Sequence, residues 1–386
     1  MDIANVLFSL IRQEITSVPV DREIVKNISE ETLQALWELS KAHDMAHIVG
    51  NALLRIGVLS QEGISKLFRN AILRAVYRYE GITYELGRIC QTLEKAQIPF
   101  IPLKGSVIRQ YYPEPWMRTS CDIDILVHEE SLEQAISLLA EELNYTKDRK
   151  GSHDFSLYSP NGIHLELHYD LVEGDVANAA GKVLKSVWEY VSSKTGFTYW
   201  QEMSDAMFYF YHIAHMAKHL QQGGCGIRPF VDLWILNKLD SPDIKERGAL
   251  LKKAHLYKFA QAADKLNAVW LTDAAHDSVT QKLQDYIFHG GTYGALDSQI
   301  AIRQQKKGGK LQYAISKIII PYSVIKHHYP VLQRHPWLTP LMQVRRWGKL
   351  IFFGHMRRSI KELAYSQSIS KMQAEEIQVF LEQIGL

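Results

Sequence analysis

The chain of 386 residues has only three cysteines, Cys90, Cys121 and Cys225. They are far apart and form no Cys-x-x-Cys pair, which argues against a disulfide framework or a structural zinc site and for a reducing compartment. No stretch approaches the roughly 18 consecutive apolar residues that a membrane-spanning helix needs. The opening Met1–Ile15 carries an early acid and no basic residue before its short apolar run, so it lacks the pattern of a secretory signal. The expectation is a cytoplasmic protein that is not transmembrane. Gly223-Gly-Cys-Gly226 is not followed by Gly-Lys-Ser/Thr and is no P-loop. Internal repeats and low-complexity tracts are absent. The most uneven absence is of acid: residues 301–360 contain no Asp or Glu.

What is present is ordinary in bulk, with 46% hydrophobic and 22% charged residues and a net charge of +2. The length suits two or three domains. Residues 1–95 read as helical, with Leu33, Leu36, Trp37 and Leu39 spaced for a helix after a Ser29–Thr32 start. The character changes at Gln97–Ser106, a short apolar run ending in a glycine before a helix-like Val107–Tyr111. Strands are expected at Ile123–Val127, Phe155–Tyr158 and Ile163–Tyr169, with a helix at Ser131–Glu142 and a turn at Ser159–Gly162. Helical spacing returns in Asp205–Leu220, Pro229–Lys238, Ile244–Trp270 and Ala274–Phe288. The expected architecture is α+β. A helical region over 1–95 precedes a small mixed-sheet core over 96–175, followed by a helical domain over 176–300 and a basic helical segment over 301–386.

Ser120-Cys-Asp-Ile-Asp-Ile-Leu-Val127 carries the strongest chemical signal. On a strand, side chains two apart share a face, so Asp122 and Asp124 point one way and Ile123 and Ile125 the other. Two carboxylates facing one space repel unless a cation lies between them. Magnesium suits such oxygen ligands, with manganese as the alternative, and phosphoryl-transfer enzymes clamp metals against a triphosphate with pairs of this kind. Lys104-Gly105-Ser106 sits at a strand–turn–helix junction, where backbone N–H groups gather an anion. Arg118 can add a bidentate phosphate contact. Further on, Ile163–Asp170 places His164, Glu166, His168 and Asp170 on one strand face. His212, His215 and His219 form one helical stripe, and Arg228 and Asp232 can flank the same cleft.

Leu103-Lys-Gly-Ser106, Arg118 and Asp122-Ile-Asp-Ile-Leu-Val127 resemble the glycine–serine turn and Asp-x-Asp strand of the polymerase-β-type nucleotidyltransferase superfamily. The closer resemblance is to a bacterial branch described only as nucleotidyltransferase family proteins. Its later Glu-Leu-His strand end is matched by Glu166-Leu-His168, and its His-x-x-x-His helix with a following Asp by His215, His219 and Asp232. The likeness spans roughly residues 30–270. Lys104 replaces a small residue of the superfamily turn, and fifteen residues separate Ser106 from Asp122. The resemblance implies a nucleotidyltransferase that moves an NMP from an NTP, such as ATP, to an acceptor with release of pyrophosphate. Asp122, Asp124 and Glu166 would be its metal-binding and catalytic carboxylates. Lys104, Gly105, Ser106 and Arg118 would serve the phosphates, with His168, His215, His219 and Asp232 on the substrate side. The acceptor class stays open among small molecule, peptide, protein and RNA. Two rival readings are a non-catalytic binding module and a metal hydrolase built on His164, Glu166 and His168.

Twelve Lys and Arg residues fall in 301–360, from Arg303 to Arg358, interleaved with aromatics. Setting these aside leaves about −10 on the remainder of the chain. The segment is expected to meet an anionic surface, whether nucleic acid, membrane or the acidic body of the same chain.

Overall fold

The structure is a computed structural model that describes residues 2–172, 178–239, 243–292, 294–352 and 371–386. Its sheet core has five strands: β1 (Phe100–Pro102), β2 (Asp122–Val127), β3 (Thr146–Lys150), β4 (Asp154–Tyr158) and β5 (His164–His168), in the order β1-β2-β5-β4-β3. β2 and β5 run parallel, and the other pairings are antiparallel. A separate two-stranded sheet pairs β6 (Val191–Ser193) with β7 (Gln201–Met203).

The alternation of β2 and β5 decides which way the sheet faces. Ile123, Ile125 and Val127 join Leu165 and Leu167 on one face, buried under the helices Gly63–Lys95 and Leu132–Leu143. Residues of the opposite parity turn toward a larger helical body, where Leu126 joins the core that contains Phe210 and Phe230. Burying the apolar row on one side fixes the register, because a slip of one residue would bring the polar set into that core. The polar members of the second face, Asp122, Asp124, His164, Glu166 and His168, are thereby held between sheet and helices.

That helical body draws on both ends of the sequence. Phe8, on the helix Ile3–Thr16, stacks on Trp270 of the helix Tyr257–Leu271 with centroids 4.3 Å apart. The N-terminal helices and those after residue 205 share one apolar core. The boundaries drawn at 95 and 176 therefore divide stretches of sequence, not separate cores. The elements differ in detail from expectation at three places. The helix read over Ile244–Trp270 is two, Ile244–Lys253 and Tyr257–Leu271, broken at His255, whose φ of 60° lies in the left-handed region. Val107–Tyr111 is the end of a short Gly105–Ile108 helix and a 3₁₀ turn over Arg109–Tyr111. β3, β6 and β7 are strands that the sequence pattern does not announce. Every residue of β3, Thr-Lys-Asp-Arg-Lys, is exposed, so no apolar alternation marks it.

Candidate active site

The register of β2 on β5 builds the site. Asp122 lies opposite His164, Asp124 opposite Glu166 and Leu126 opposite His168. Two donor groups result, Asp122–His164–Glu166 and Asp124–Glu166–His168, each with its ligand atoms within 4.8 Å of one another. Glu166 belongs to both, so the three carboxylates gather at one place. His164 and His168 fall in different groups. Among the described residues no cluster unites His164, Glu166 and His168 around one ion, which removes the geometric support for the hydrolase reading.

The two aspartates are not equivalent. Asp124 is buried, and its Oδ1 accepts from Lys104 Nζ at 2.6 Å and from His168 Nε2 at 2.9 Å. Burial opposes its ionisation, but Lys104 and His168 outweigh burial and hold the carboxyl far below the usual range. At Asp122, burial and the adjoining Asp124 charge both push the carboxyl up. Glu166 is pulled down by the hydrogen bond from His168, whose Nε2 lies 3.5 Å from Glu166 Oε2. Burial disfavours charge on His168, yet its bonds to Asp124 and Glu166 raise its pKa. Asp170 turns away, with Oδ1 accepting from the Val172 amide.

Lys104 reaches Asp124 from an uncommon backbone. Its φ of 46° and ψ of −122° place a side-chain-bearing residue in the region that favours glycine. The rest of the turn does other work. Gly105 is closely packed: a Cβ there would lie 3.2 Å from Ser120 Cβ and 3.3 Å from Arg118 Nη1. Glycine suits the close approach of the 118–120 loop, a reason distinct from the phosphate contact read in the sequence. Ser106 Oγ is buried without a protein partner, and Ser106 lines a separate cavity of about 320 Å³ with Tyr111, Lys194 and Trp200.

Arg118 and Asp232 also differ from the reading of them as cleft residues. Arg118 Nε donates to both Asp232 oxygens at 2.7 and 2.9 Å, and Nη1 donates to the Thr119 carbonyl. Tyr112 Oη donates to Asp232 at 2.6 Å. All three residues are buried, so Asp232 neutralises a guanidinium that would otherwise be costly there. Arg228 is drawn to Asp44 at 2.6 Å. Sequence reasoning missed Arg109, which donates to the Gly105 carbonyl at 2.7 Å and to Ser120 Oγ at 2.8 Å and ties the Lys104 turn to β2. Burial and the Arg118 charge lower its guanidinium to about 10.

A cavity of about 470 Å³ adjoins the carboxylates, with Lys104, His168, Tyr211, His215, Lys218 and Lys306 in its wall. Among the described residues no Asp or Glu lines it. Tyr211 was also missed, although it precedes His215 by four residues and so extends the stripe. Of that stripe His215 faces the cavity, and burial pushes its imidazole pKa well down. His219 Nε2 lies 3.1 Å from His215 Nε2, whereas His212 turns to the Pro229 carbonyl at 2.8 Å. Cys121, beside Asp122, is exposed, with Arg78 Nη1 3.5 Å from its sulfur.

A mixed sheet carrying paired carboxylates on one parallel strand pair, enclosed by helices, defines an α+β fold of the nucleotidyltransferase type. Residues 29–272 match the family described as uncharacterised nucleotidyltransferase, and the chain belongs to that family. No curated protein and no solved structure matches the chain. No helix among the described residues is long and apolar enough to cross a membrane.

Proposed function

We propose that the protein is a metal-dependent transferase that moves a nucleoside monophosphate from an NTP to an acceptor. The observation that carries this reading is the β2–β5 register, which sets Asp124 beside Glu166 and Asp122 beside His164. The donor set fits a hard divalent ion, magnesium or manganese. Three carboxylates supply oxygen ligands, and the repulsion that raises Asp122 is the kind a cation relieves. Asp122, Asp124 and Glu166 would hold the metal, which when bound offsets charge on the triphosphate oxygens.

In the transfer, an acceptor oxygen bonds to the α-phosphorus as the bond to the β-phosphate bridging oxygen breaks. Pyrophosphate leaves with the electron pair. The acceptor proton passes to a base, a role we assign to Glu166, whose Oε2 lies 3.5 Å from His168 Nε2. Lys104 holds Asp124 in place and brings positive charge to the cavity wall, where Lys218 and Lys306 suit phosphate groups. His215 and Tyr211 line the wall on the substrate side. Arg118 and Asp232 act at one remove, by fixing the loop that leads into β2. The intact set of acids speaks against a silent binding module, since unneeded carboxylates would repel at a cost in stability.

The test is incubation with each NTP, magnesium or manganese and a panel of acceptors, following pyrophosphate release and label transfer. Transfer that requires the metal and disappears in Asp122→Asn/Asp124→Asn supports the reading. Release at the wild-type rate from that folded variant overturns it.

A further inference from the structure

Outside the active site, the most distinctive surface is the helix Thr339–Phe352 with the turn that leads into it. Trp337, Leu341 and Val344 follow at spacings of four and three, and Gly348 continues the row, so they form one stripe. They are 75%, 58% and 57% exposed. The opposite face is fastened to the protein. Met342 is buried with Ile325 and Leu332 in a small core, and Trp347 Nε1 donates to the Ile318 carbonyl at 2.8 Å. Gln343 donates to the Ile320 carbonyl. The apolar stripe is therefore held outward by packing on its back.

Its flanks are basic. Arg334, Arg345 and Lys349 are exposed, and Arg345 and Lys349 both lie over the Tyr329 ring at 5.8 Å. The exposed Ile318 and Ile319 neighbour Trp347. The sequence from 301 to 360 offers no carboxylate to offset this charge. We infer that this face, Trp337–Leu341–Val344 rimmed by Arg334, Arg345 and Lys349, docks the protein on an anionic lipid surface. The basic rim matches lipid phosphates, and the stripe gains by entering the boundary between headgroups and acyl chains. Trp337, at the end of the stripe, has an apolar body and a polar N–H suited to that boundary. Nucleic acid would satisfy the charge but leave Leu341, Val344, Ile318 and Ile319 in water, because aliphatic side chains neither stack on bases nor bond to phosphates. An acidic protein partner would require a complementary apolar groove, whereas lipid adapts to the row as it stands.

The experiment is co-sedimentation of the full chain with phosphatidylcholine vesicles containing or lacking about one third phosphatidylglycerol. Binding is expected only with the anionic vesicles and is expected to fall as salt rises. Arg334→Glu/Arg345→Glu/Lys349→Glu should weaken it by more than about tenfold, and Leu341→Ser/Val344→Ser by about tenfold. A measurement on unaltered side chains guards against misfolded variants: brominated phosphatidylcholine in the anionic vesicles should quench tryptophan fluorescence, and Trp337→Phe should lose most of that quenching. Absence of binding, equal binding to neutral vesicles, or binding indifferent to the aliphatic variant would overturn the inference. So would tighter binding to a single-stranded RNA that persists in Leu341→Ser/Val344→Ser, which would make the face a nucleic-acid surface.

Discussion

Two clusters of charge lie close together in this protein and were built to different ends. On the β2–β5 face, Asp122, Asp124, Glu166 and His168 gather with more negative charge than Lys104 alone can balance, beside a cavity. Around the 118–120 loop, Arg118, Asp232 and Tyr112 close on one another, all buried, with the carboxylate matched to the guanidinium. The first cluster carries charge that an added cation would balance, and the second is complete as it stands. Charged side chains at a site are thus sorted less by residue type than by whether their neighbours already satisfy them.

The largest expected effect is on the first cluster. Asp124→Asn should lower transfer by at least about a thousandfold, as loss of a group supporting transition-state charge does. Steady-state pyrophosphate release would show it. A change of less than tenfold would place the metal elsewhere. The closed cluster should answer in stability. Arg118→Met leaves Asp232 buried without its counter-ion, at a cost of about 3–5 kcal/mol in urea unfolding, and Arg118→Met/Asp232→Leu should recover part of it. If Arg118→Met removed transfer with stability intact, the contrast between the two clusters would collapse.

A smaller effect sharpens the contrast within the Asp-x-Asp pair. In metal-free protein, Asp124→Asn should destabilise by about 3 kcal/mol, because Lys104 loses its charge partner and His168 one of its two. Asp122→Asn should be neutral or raise the melting temperature, since it removes a carboxyl that burial and Asp124 disfavour. On strand spacing alone the pair is two like charges in mutual repulsion. Calorimetry showing equal shifts for both variants would restore that symmetric picture.

The smallest effect concerns acid. Burial lowers the imidazole of His43 from 6.5 to about 4. The unfolded chain takes up the proton first as pH falls, so the stability this group confers is complete above about 6.5 and is lost toward 4. That amounts to about 2 kcal/mol by pH 5. His47, His212 and His215 are lowered by burial too and act in the same sense. Asp264, raised by burial to about 6, acts in the opposite sense. Wild-type unfolding at pH 7 and pH 5 should differ accordingly, and His43→Leu should narrow the gap.

The site residues legible in the sequence are those whose partners lie within a local period. Alternation by two is enough to place Asp122 with Asp124 on one face of their strand and Glu166 with His168 on one face of theirs, and a glycine marks the Lys104 turn. Spacing by four gives the His215–His219 contact. What escapes depends on distant pairing: Arg118 meets Asp232 across 114 residues, and nothing local tells a guanidinium awaiting phosphate from one already bound. The unequal aspartates escape for the same reason, since the difference is made by Lys104 twenty residues away. In the fold, the parallel pairing of β2 with β5 likewise rests on contacts that no window of sequence contains.

The three thiols have environments that set them apart chemically. Burial pushes the Cys90 and Cys225 thiols far up, so neither supplies thiolate at neutral pH, while Cys121 stands exposed one residue before Asp122. A maleimide dye added to the unmutated protein should therefore attach at one position, at the edge of the carboxylate face. Its emission would follow metal or nucleotide arriving there, so the chain can serve as its own fluorescent sensor while the acceptor is still being sought.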